Sequence, residues 1–384
     1  MLSEHHFALI KQSLPLLANA GVAVTEHFYT RLFSEQPELK HIFNLSNQAS
    51  GKQQFALFAA IARFATYLDT PERLAQLTAQ IANKHVALQI KPEHYPIVGA
   101  NLLATLRTLF PAEFTPEVEA AWANAYGIIA DLLITAEAGK YQQMQNQMGG
   151  WYGLRTFYIA DMIEESAHVK SFYLKPLDGK AVANYVSGQF ITVSVHIPNT
   201  EYRQQRHYTL SGRIHNGYRI SVKNDGLVSA YLHQCPLGTE LQLAPPAGDF
   251  TLRANQKPKV LISGGVGITP MVAMLEELIT QASPVWFLHA CQNAQQHSFK
   301  HWLVEQQALN NTLICKTWYE EGDGADFSGR MDIDAIALPL TEADFYLCGP
   351  EAFMRGIYHQ LIAAQVSPNQ IYYEMFGPHS DLSA

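Results

Sequence analysis

The sequence predicts three successive parts: an all-α segment, an antiparallel β-barrel and an α/β segment with a parallel sheet. Up to about residue 145, apolar residues recur at helical spacing without convincing strand-like alternation. From about residue 155 to residue 248, short runs that alternate apolar and polar residues are separated by turn residues. After Lys257, a short apolar strand leads into a glycine turn and a helix, the order from which parallel sheets are built. A chain of 384 residues is long enough for two or three domains.

Composition and charge describe an ordinary globular protein and exclude several classes of function. Hydrophobic residues make up 48% of the chain and charged residues 16%. The net charge of −8 and the lack of a basic run argue against a nucleic-acid binder. No apolar run of about 20 residues predicts a membrane span, and the polar N-terminus does not resemble a signal peptide. The cysteines lack metal-type spacing and are expected to be reduced thiols of a cytoplasmic protein: Cys235, Cys291, Cys315 and Cys348.

Helix start signals divide the all-α segment. Ser3 can cap a first helix, and Gly21 separates it from a second one. Pro71 stands where a first-turn proline opens a helix, and Thr115-Pro116 combines an N-cap with such a proline. No proline follows up to residue 144, which predicts one long final helix.

A histidine stands on an apolar helix face near the middle of this segment. Leu77, Ile81 and His85 follow one another at intervals of four residues and therefore share one stripe. A lone histidine on such a face is usually a hydrogen-bonded core residue. An imidazole presented from an apolar helix face is also the way in which proteins hold haem iron. The spacing alone leaves both interpretations open.

The residues around His85 carry a resemblance to a known family. The segment resembles a bacterial single-domain globin, and closely the globin half of flavohaemoglobins, through Tyr29, Phe43, Gln53, Leu57, Lys84, His85, Tyr95 and Glu137. The resemblance implies that His85 is the proximal iron ligand and that Phe43 packs against haem b. It implies a distal pocket of Tyr29, Gln53 and Leu57, in which Tyr29 and Gln53 donate hydrogen bonds to dioxygen. It also implies that Tyr95 and Glu137 orient and polarise His85.

The helical pattern ends at Gly149-Gly150, and the following strand-rich part carries a motif for a flavin. A boundary is expected at these glycines because they cannot sustain a helix. In the run from residue 206 to residue 211, a guanidinium suits a pyrophosphate, and a phenol and a hydroxyl suit a flavin ring. This run resembles the RxYS/T motif of ferredoxin-reductase-like FAD barrels. The resemblance implies FAD contacts for Arg206, His207, Tyr208 and Thr209.

Two further stretches of the barrel resemble elements of the same FAD-binding family. Gly226, Val228 and Ser229 match an element in which small residues and backbone amides at a helix start hold phosphate. Phe190 stands in the flavin-side element, where that family often has a tyrosine. Ring stacking is expected to persist there, whereas a hydroxyl contact is lost.

The third part carries a nucleotide-binding turn. A strand at residues 260–262 precedes the turn, and a helix follows it, so that glycines and the helix N-terminus can approach a phosphate. The turn resembles the GxGxTP signature of the NAD module of ferredoxin reductases, formed here by Gly265, Val266, Gly267, Ile268, Thr269 and Pro270. After a strand at residues 345–347, the family's element beside the nicotinamide is matched by Cys348, Gly349 and Pro350.

The end of the chain resembles the flavohaemoglobin ending YECFGP and comprises Glu374, Met375, Phe376, Gly377 and Pro378. The resemblance implies that Phe376 stacks on the flavin and that Met375 replaces the usual cysteine. Glu374 and Lys84 are expected to tune the haem and flavin potentials. The predicted domains are a haem domain at residues 1–147, an FAD domain at 148–255 and an NAD(P) domain at 256–384.

The combined resemblance implies a nitric oxide dioxygenase. NAD(P)H reduces FAD, FAD reduces the haem iron one electron at a time, and nitric oxide and dioxygen become nitrate. Two alternatives remain at this point: a haem-based gas sensor, and an oxygen-binding protein with an attached flavin reductase. NADH is favoured over NADPH because no arginine occurs from Val285 to Lys300, where a 2′-phosphate could be bound. A monomer without nucleic-acid or membrane partners is expected.

Overall fold

The structure is a computed structural model that describes residues 2–19, 21–42, 61–64, 66–67, 69–281, 283–377 and 382. Four of the predicted site residues lie outside these ranges: Phe43, Gln53, Leu57 and Pro378. The chain forms two compact units. The first comprises Met1–Gly153 and Ser194–Arg206, and the second comprises Leu154–Val193 and His207–Ala384.

Helices make up the described part of the first unit up to residue 146, namely α1 (Glu4–Asn19), α2 (Gly21–Glu35), α3 (Pro71–Ala87), α4 (His94–Leu109) and α5 (Pro116–Asn146). The predicted caps are present, because Ser3 Oγ accepts the amide of His6 and Thr115 Oγ1 accepts the amide of Val118. Within the described ranges, no helix combines the length and the apolar character needed to cross a bilayer.

Two hydrophobic clusters hold these helices together, and α5 contributes to both. The first contains Phe28 of α2, Leu102 of α4 and Trp122 of α5. The second contains Leu77 of α3 and Leu133 of α5. Full burial of one such aliphatic or aromatic side chain stabilises the fold by about 1.5–3 kcal/mol. The second cluster fixes α3 against α5 and thereby positions the helix that carries His85.

The strand-rich part forms the closed barrel that the sequence predicts. Its strands are β1 (Arg155–Glu164), β2 (Val169–Pro176), β3 (Phe190–Val195), β4 (Gln204–Ile214), β5 (Gly217–Lys223) and β6 (Glu240–Leu243). They follow one another around the barrel in the order β1-β2-β5-β4-β3-β6, and β1 and β2 pair in antiparallel register. Closure removes the unpaired strand edges that would otherwise invite association. The short helix α6 (Leu227–Gln234) follows β5.

The last part is a parallel sheet with helices, which confirms the predicted α/β class. Its strands are β7 (Lys259–Gly264), β8 (Val285–Cys291), β9 (Leu313–Tyr319), β10 (Phe327–Ser328), β11 (Asp344–Cys348) and β12 (Ile371–Glu374), in the order β10-β9-β8-β7-β11-β12. The helices are α7 (Ile268–Leu278), α8 (Lys300–Leu309) and α9 (Glu351–Ala363). Because the strands are parallel, their carboxyl ends meet at one edge, where ligands of such sheets bind.

Candidate functional site

His85 lies near the end of α3, at the margin of a hydrophobic cluster. Leu77 is buried and Ile81 is partly buried against the same cluster, as the predicted stripe requires. The His85 side chain keeps 29% of its surface exposed, so one edge of the ring is not covered by the described residues. The ring is therefore anchored in the core on one side and accessible on the other.

The buried edge of the His85 ring is hydrogen-bonded to two side chains from distant parts of the sequence. His85 Nδ1 is 2.7 Å from Oε1 of Glu137 on α5 and 2.9 Å from the hydroxyl of Tyr95 on α4. The Tyr95 hydroxyl also donates to the same Glu137 oxygen. Burial raises the pKa of Tyr95, and its hydrogen bond to Glu137 adds to this, so the phenol remains a donor. The structure thus joins three predicted residues, His85, Tyr95 and Glu137, in one network.

This network fits a metal-ligating imidazole. A carboxylate can only accept, so Glu137 selects the tautomer in which His85 Nδ1 carries the proton. The lone pair then resides on Nε2, for which the described part of the chain offers no hydrogen-bond partner. Histidine ligands are typically held in this way, with the other ring nitrogen bonded to a carboxylate. His85 could therefore present Nε2 to a haem iron.

Two tyrosines of α5 that the sequence analysis did not single out hold the segment between His85 and Tyr95. The Tyr126 hydroxyl donates to the carbonyl oxygen of Tyr95 at 2.8 Å, and the Tyr141 hydroxyl donates to that of Ile90 at 2.7 Å. Tyr141 follows Glu137 by one helical turn, so helical spacing could have placed it on the same face. Its acceptor, a backbone carbonyl, carries no sequence signal.

Tyr29 is a buried residue of α2. Its ring is stacked on that of Phe33, with 5.6 Å between the centroids, and meets Phe28 edge-on. Burial raises the pKa of Tyr29, so its hydroxyl stays protonated and can donate a hydrogen bond. Its predicted neighbours Gln53 and Leu57, like Phe43, lie outside the described residues. Lys84 is exposed beside His85 on α3.

The predicted flavin residues lie mostly on β4, which carries Arg206, His207, Tyr208 and Thr209. The His207 ring packs on that of Phe190 with 4.7 Å between centroids, and its Nδ1 is 2.9 Å from Oγ1 of Thr192. Arg206 donates to the carbonyl of Gln205. Phe190 thus has an aromatic partner on the neighbouring strand β4 even without the hydroxyl of a tyrosine.

Gly226, Val228 and Ser229 form the start of α6. Gly226 has a φ of 150°, a conformation that favours glycine. The Ser229 hydroxyl donates to the carbonyl of Gly226 and accepts the amide of Asp225 at 2.9 Å. Its hydrogen bonds therefore close the first turn of α6, and a phosphate would be bound there mainly by backbone amides.

The nucleotide turn has the strand, turn and helix that the sequence predicts. β7 ends at Gly264, the short turn Gly265–Gly267 follows, and α7 begins at Ile268. A Cβ atom at Gly267 would lie 2.2 Å from the carbonyl oxygen of Cys348, so no larger residue fits. The Thr269 hydroxyl donates to the carbonyl of Val266, and Pro270 is buried in α7. Glycine here permits close packing of the turn against β11.

Cys348 ends β11 directly beside this turn. It pairs with Ser263 of β7 on one side and with Glu374 of β12 on the other, and Gly349 and Pro350 continue from it. Burial, reinforced by Glu374, raises the pKa of the Cys348 thiol well above its ordinary value. The thiol is therefore neutral. At the end of the chain, Met375 is buried in the core beside the sheet, whereas Phe376 is 52% exposed before Gly377.

Models of three protein families match this chain in succession. The globin family matches residues 26–133, the oxidoreductase FAD-binding domain matches residues 157–252, and the oxidoreductase NAD-binding domain matches residues 261–359. The order of the three matches is the order of the helical segment, the barrel and the parallel sheet.

Curated relatives match the chain over its whole length, and solved structures match nearly all of it or its second half. A flavohemoprotein of Vibrio cholerae is 44% identical and one of Pseudomonas putida 43%, with 100% of both chains covered in each case. The crystal structure of a Malassezia yamatoensis flavohemoglobin with bound FAD and heme has a TM-score of 0.90 at 27% identity, covering 98% of this chain and 100% of that one. The FAD/NAD-binding domain of a Vibrio cholerae nitric oxide dioxygenase is 42% identical, with a TM-score of 0.56, covering 58% of this chain and 99% of that domain.

Proposed function

Because this chain belongs to the flavohemoprotein family, we propose that it is an NAD(P)H-dependent nitric oxide dioxygenase that uses haem b and FAD to convert nitric oxide and dioxygen to nitrate. The observation that carries the proposal is the hydrogen-bonded cluster of His85, Tyr95 and Glu137. A strongly hydrogen-bonded imidazole is an electron-rich ligand, which suits the activation of oxygen better than its reversible storage.

The globin residues have separate roles in this proposal. His85 holds the iron through Nε2, and Glu137 accepts the Nδ1 proton of His85. Tyr95 donates to Glu137 and so keeps its carboxylate oriented. Tyr29 donates a hydrogen bond to the gaseous ligand, with Gln53 as a second donor, while Phe43 and Leu57 bound the haem pocket. When bound, haem and FAD together supply the redox chemistry, from hydride acceptance to single-electron delivery.

The barrel residues bind FAD in this proposal. Arg206 contacts the pyrophosphate, and the backbone at Gly226, Val228 and Ser229 contacts phosphate at the start of α6. Contacts with the flavin ring and its neighbourhood come from Phe190, His207, Tyr208 and Thr209, and from the chain end at Glu374, Met375, Phe376, Gly377 and Pro378. The exposed ring of Phe376 supports its role, because it is available for stacking.

The nucleotide binds at the carboxyl edge of the parallel sheet in this proposal. The turn from Gly265 to Pro270 approaches the phosphates with its backbone amides, and Cys348, Gly349 and Pro350 lie on the nicotinamide side. The proposed domain limits are residues 1–147 for haem, 148–255 for FAD and 256–384 for NAD(P). Lys84 and Glu374 tune the two potentials. We propose that the protein is cytoplasmic, which fits its free cysteines, and that it is a monomer.

The same edge supports a preference for NADH. Backbone amides of Glu320 and Glu321 donate to the carbonyls of Cys291 and Gln292, so both acids follow β9 at the carboxyl edge beside β8. An acidic residue there can accept from ribose hydroxyls but repels a 2′-phosphate. We expect a higher kcat/KM for NADH than for NADPH, and Glu321→Gln should narrow the difference.

The activity is tested by measuring nitric oxide consumption and nitrate yield with NADH under air. We expect one nitrate for each nitric oxide consumed, together with the absorption spectrum of one haem b and one FAD per chain. A protein that binds oxygen reversibly without forming nitrate would instead be an oxygen-binding protein with an attached reductase. If nitric oxide changed only the rate of flavin oxidation, the globin would be a gas sensor.

A further inference from the structure

Helix α3 ends in a Schellman cap that includes His85. The amide of Ile90 donates to the carbonyl of His85 at 3.0 Å, and the amide of Gln89 donates to the carbonyl of Val86 at 3.2 Å. Gln89 has a φ of 59°, the left-handed conformation that this cap requires. Because Gln89 is not a glycine, the conformation is unfavourable by itself, and its side-chain amide donates to the Val86 carbonyl as well. The backbone of His85 therefore depends on how firmly Ile90 is held.

Ile90 is held from α5 by Tyr141. The Tyr141 hydroxyl donates to the carbonyl of Ile90 at 2.7 Å. On its other side, the Tyr141 ring meets Tyr152 edge-on, with 5.1 Å between the centroids. Tyr141 follows Glu137 by four residues, and one helical turn places both side chains on the same face of α5. Helix α5 thus contacts the ring of His85 through Glu137, and the cap behind its backbone through Tyr141.

We propose that Tyr141 is a positioning residue for His85, which fixes the backbone of the proximal ligand through the Schellman cap while Glu137 fixes its ring. The proposal rests on the proposed role of His85 as the iron ligand. Two restraints are needed because a hydrogen bond to Nδ1 still permits the imidazole to pivot about Nδ1 together with the end of α3. Anchoring Ile90 removes that freedom, so that the position and the direction of Nε2 are fixed.

Tyr141→Phe tests the proposal because it removes the hydroxyl and keeps the ring. The first measurement is hydrogen exchange of the Ile90 and Gln89 amides in the full-length protein. Loss of one ordinary hydrogen bond should accelerate their exchange by about 2- to 10-fold. The second is the iron–imidazole stretching band of the ferrous protein in resonance Raman spectra, which should broaden or shift. The third is the rate of haem transfer to an acceptor globin, which should increase.

Ser13→Ala is the matched control. Its hydroxyl accepts the indole N–H of Trp122 at 2.8 Å, so the variant also removes a buried hydrogen bond from α5, but at a residue outside the His85 network. We expect a comparable decrease in stability with unchanged Ile90 exchange and an unchanged Raman band. Glu137→Gln should shift the band and leave the Ile90 amide protected, since the backbone anchor remains.

Two results would overturn the proposal: unchanged Ile90 exchange together with an unchanged band in Tyr141→Phe, or an equal shift of the band in Ser13→Ala. The proposed iron ligation fails in a different way. Wild-type protein without an iron–imidazole band would remove His85 from the metal before any variant is compared, and the proposal for Tyr141 would fall with it. Normal nitrate yield beside an unaltered band in Tyr141→Phe would refute only the positioning role.

Discussion

The surroundings of His85 and the nucleotide turn at Gly267 are two kinds of candidate site. His85 meets Tyr95 and Glu137 through side-chain hydrogen bonds between three helices that are distant in sequence. The nucleotide turn is one contiguous stretch between β7 and α7. It packs through its backbone, because the Cα of Gly267 lies so close to the Cys348 carbonyl that a Cβ atom would not fit. The first depends on which polar atoms are present, and the second depends on the absence of a side chain.

This difference predicts how each region tolerates change. Removing one partner from a hydrogen-bonded network weakens it by a limited amount, because the remaining bonds still hold the geometry. Adding one atom at a backbone contact forces the backbone itself to move, because close-packed interiors leave no room. Substitutions around His85 should therefore have graded effects except at His85, the proposed ligand, whereas substitutions at Gly267 should be disruptive whatever their polarity.

The largest effect is expected for His85→Ala. The variant removes the only proposed iron ligand from the protein, so haem should be lost from the purified protein while FAD is retained. The measurement is the haem-to-flavin absorbance ratio, and His27→Ala is the control. His27 is a half-buried histidine of α2 that contacts Thr105, and its removal should leave the ratio unchanged. Full haem retention in His85→Ala would place the iron ligand elsewhere.

The second effect is steric and belongs to the nucleotide turn. Gly267→Val should destabilise the turn by about 1–3 kcal/mol, the usual cost of overpacking, and the displaced turn should lower kcat/KM for NADH. Haem that is reduced chemically should still bind oxygen. Gly356→Val is the matched control, since a Cβ at Gly356 meets no heavy atom within 4 Å. Equal rates of flavin reduction in both variants would contradict the comparison.

The third effect concerns a single hydrogen bond on the distal side. Tyr29→Phe keeps the stacked ring and removes the donor, which should cost about 1.5–3 kcal/mol and accelerate oxygen release by roughly 10- to 100-fold. Nitric oxide turnover at limiting oxygen should fall to a similar extent, while reduction of the haem by NADH stays the same. Stopped-flow oxygen release and nitrate yield test this. Fast release with normal turnover at low oxygen would remove Tyr29 from the mechanism.

The smallest effect is a pH dependence of stability in the parallel-sheet part. His289 and His297 are buried with 4.8 Å between their ring centroids. Burial lowers the pKa of His297 to about 4, assisted by Lys300, and lowers that of His289 well below its usual value. His297 is bonded to the Tyr319 hydroxyl and His289 to Ser263. Below the ordinary histidine pKa of about 6.5, the unfolded chain binds protons at both imidazoles, whereas both stay neutral in the folded protein until the pH approaches their lowered pKa values.

The free energy of unfolding should consequently be unaffected by these histidines above about pH 6.5. It should decrease as the pH falls towards about 4, by up to about 1.4 kcal/mol per pH unit for each histidine. Urea unfolding at about pH 7 and about pH 5 measures this decrease. In His297→Gln the dependence should weaken, because one of the two titrating groups is gone. An unaltered slope in that variant would show that other groups cause the acid sensitivity.

The sequence predicts most of the fold because local signals decide most of it. The helix starts at Ser3 and Thr115 have the predicted caps, and the six strands of the barrel lie within the alternating stretch from residue 155 to residue 248. In the parallel sheet, the short apolar runs at residues 260–262, 285–289 and 345–347 predict β7, β8 and β11, whereas β9, β10 and β12 are not predicted. β9 contains a lysine and a threonine and is therefore not the fully apolar run by which a buried strand is recognised. It is stabilised by pairing with β8, which is distant in sequence. Pairing of that kind has no local signature.

The glycine-rich turn and the apolar stripe that carries His85 are visible in the sequence by itself, because both are properties of neighbouring residues. The role of His85 as an iron ligand is implied only by the resemblance to flavohaemoglobins, since the stripe also fits a hydrogen-bonded core histidine. Only the tertiary structure decided that Glu137 reaches Nδ1 of His85 and that Tyr126 and Tyr141 hold backbone carbonyls between His85 and Tyr95. The resemblance to flavohaemoglobins implied the first contact but not the other two. The physical reason is that the backbone carbonyl of any residue can accept a hydrogen bond, whatever the side chain of that residue. The packing of α3, α4 and α5 therefore determines which tyrosine reaches the carbonyls of Ile90 and Tyr95, and the residue types at these two positions do not indicate it.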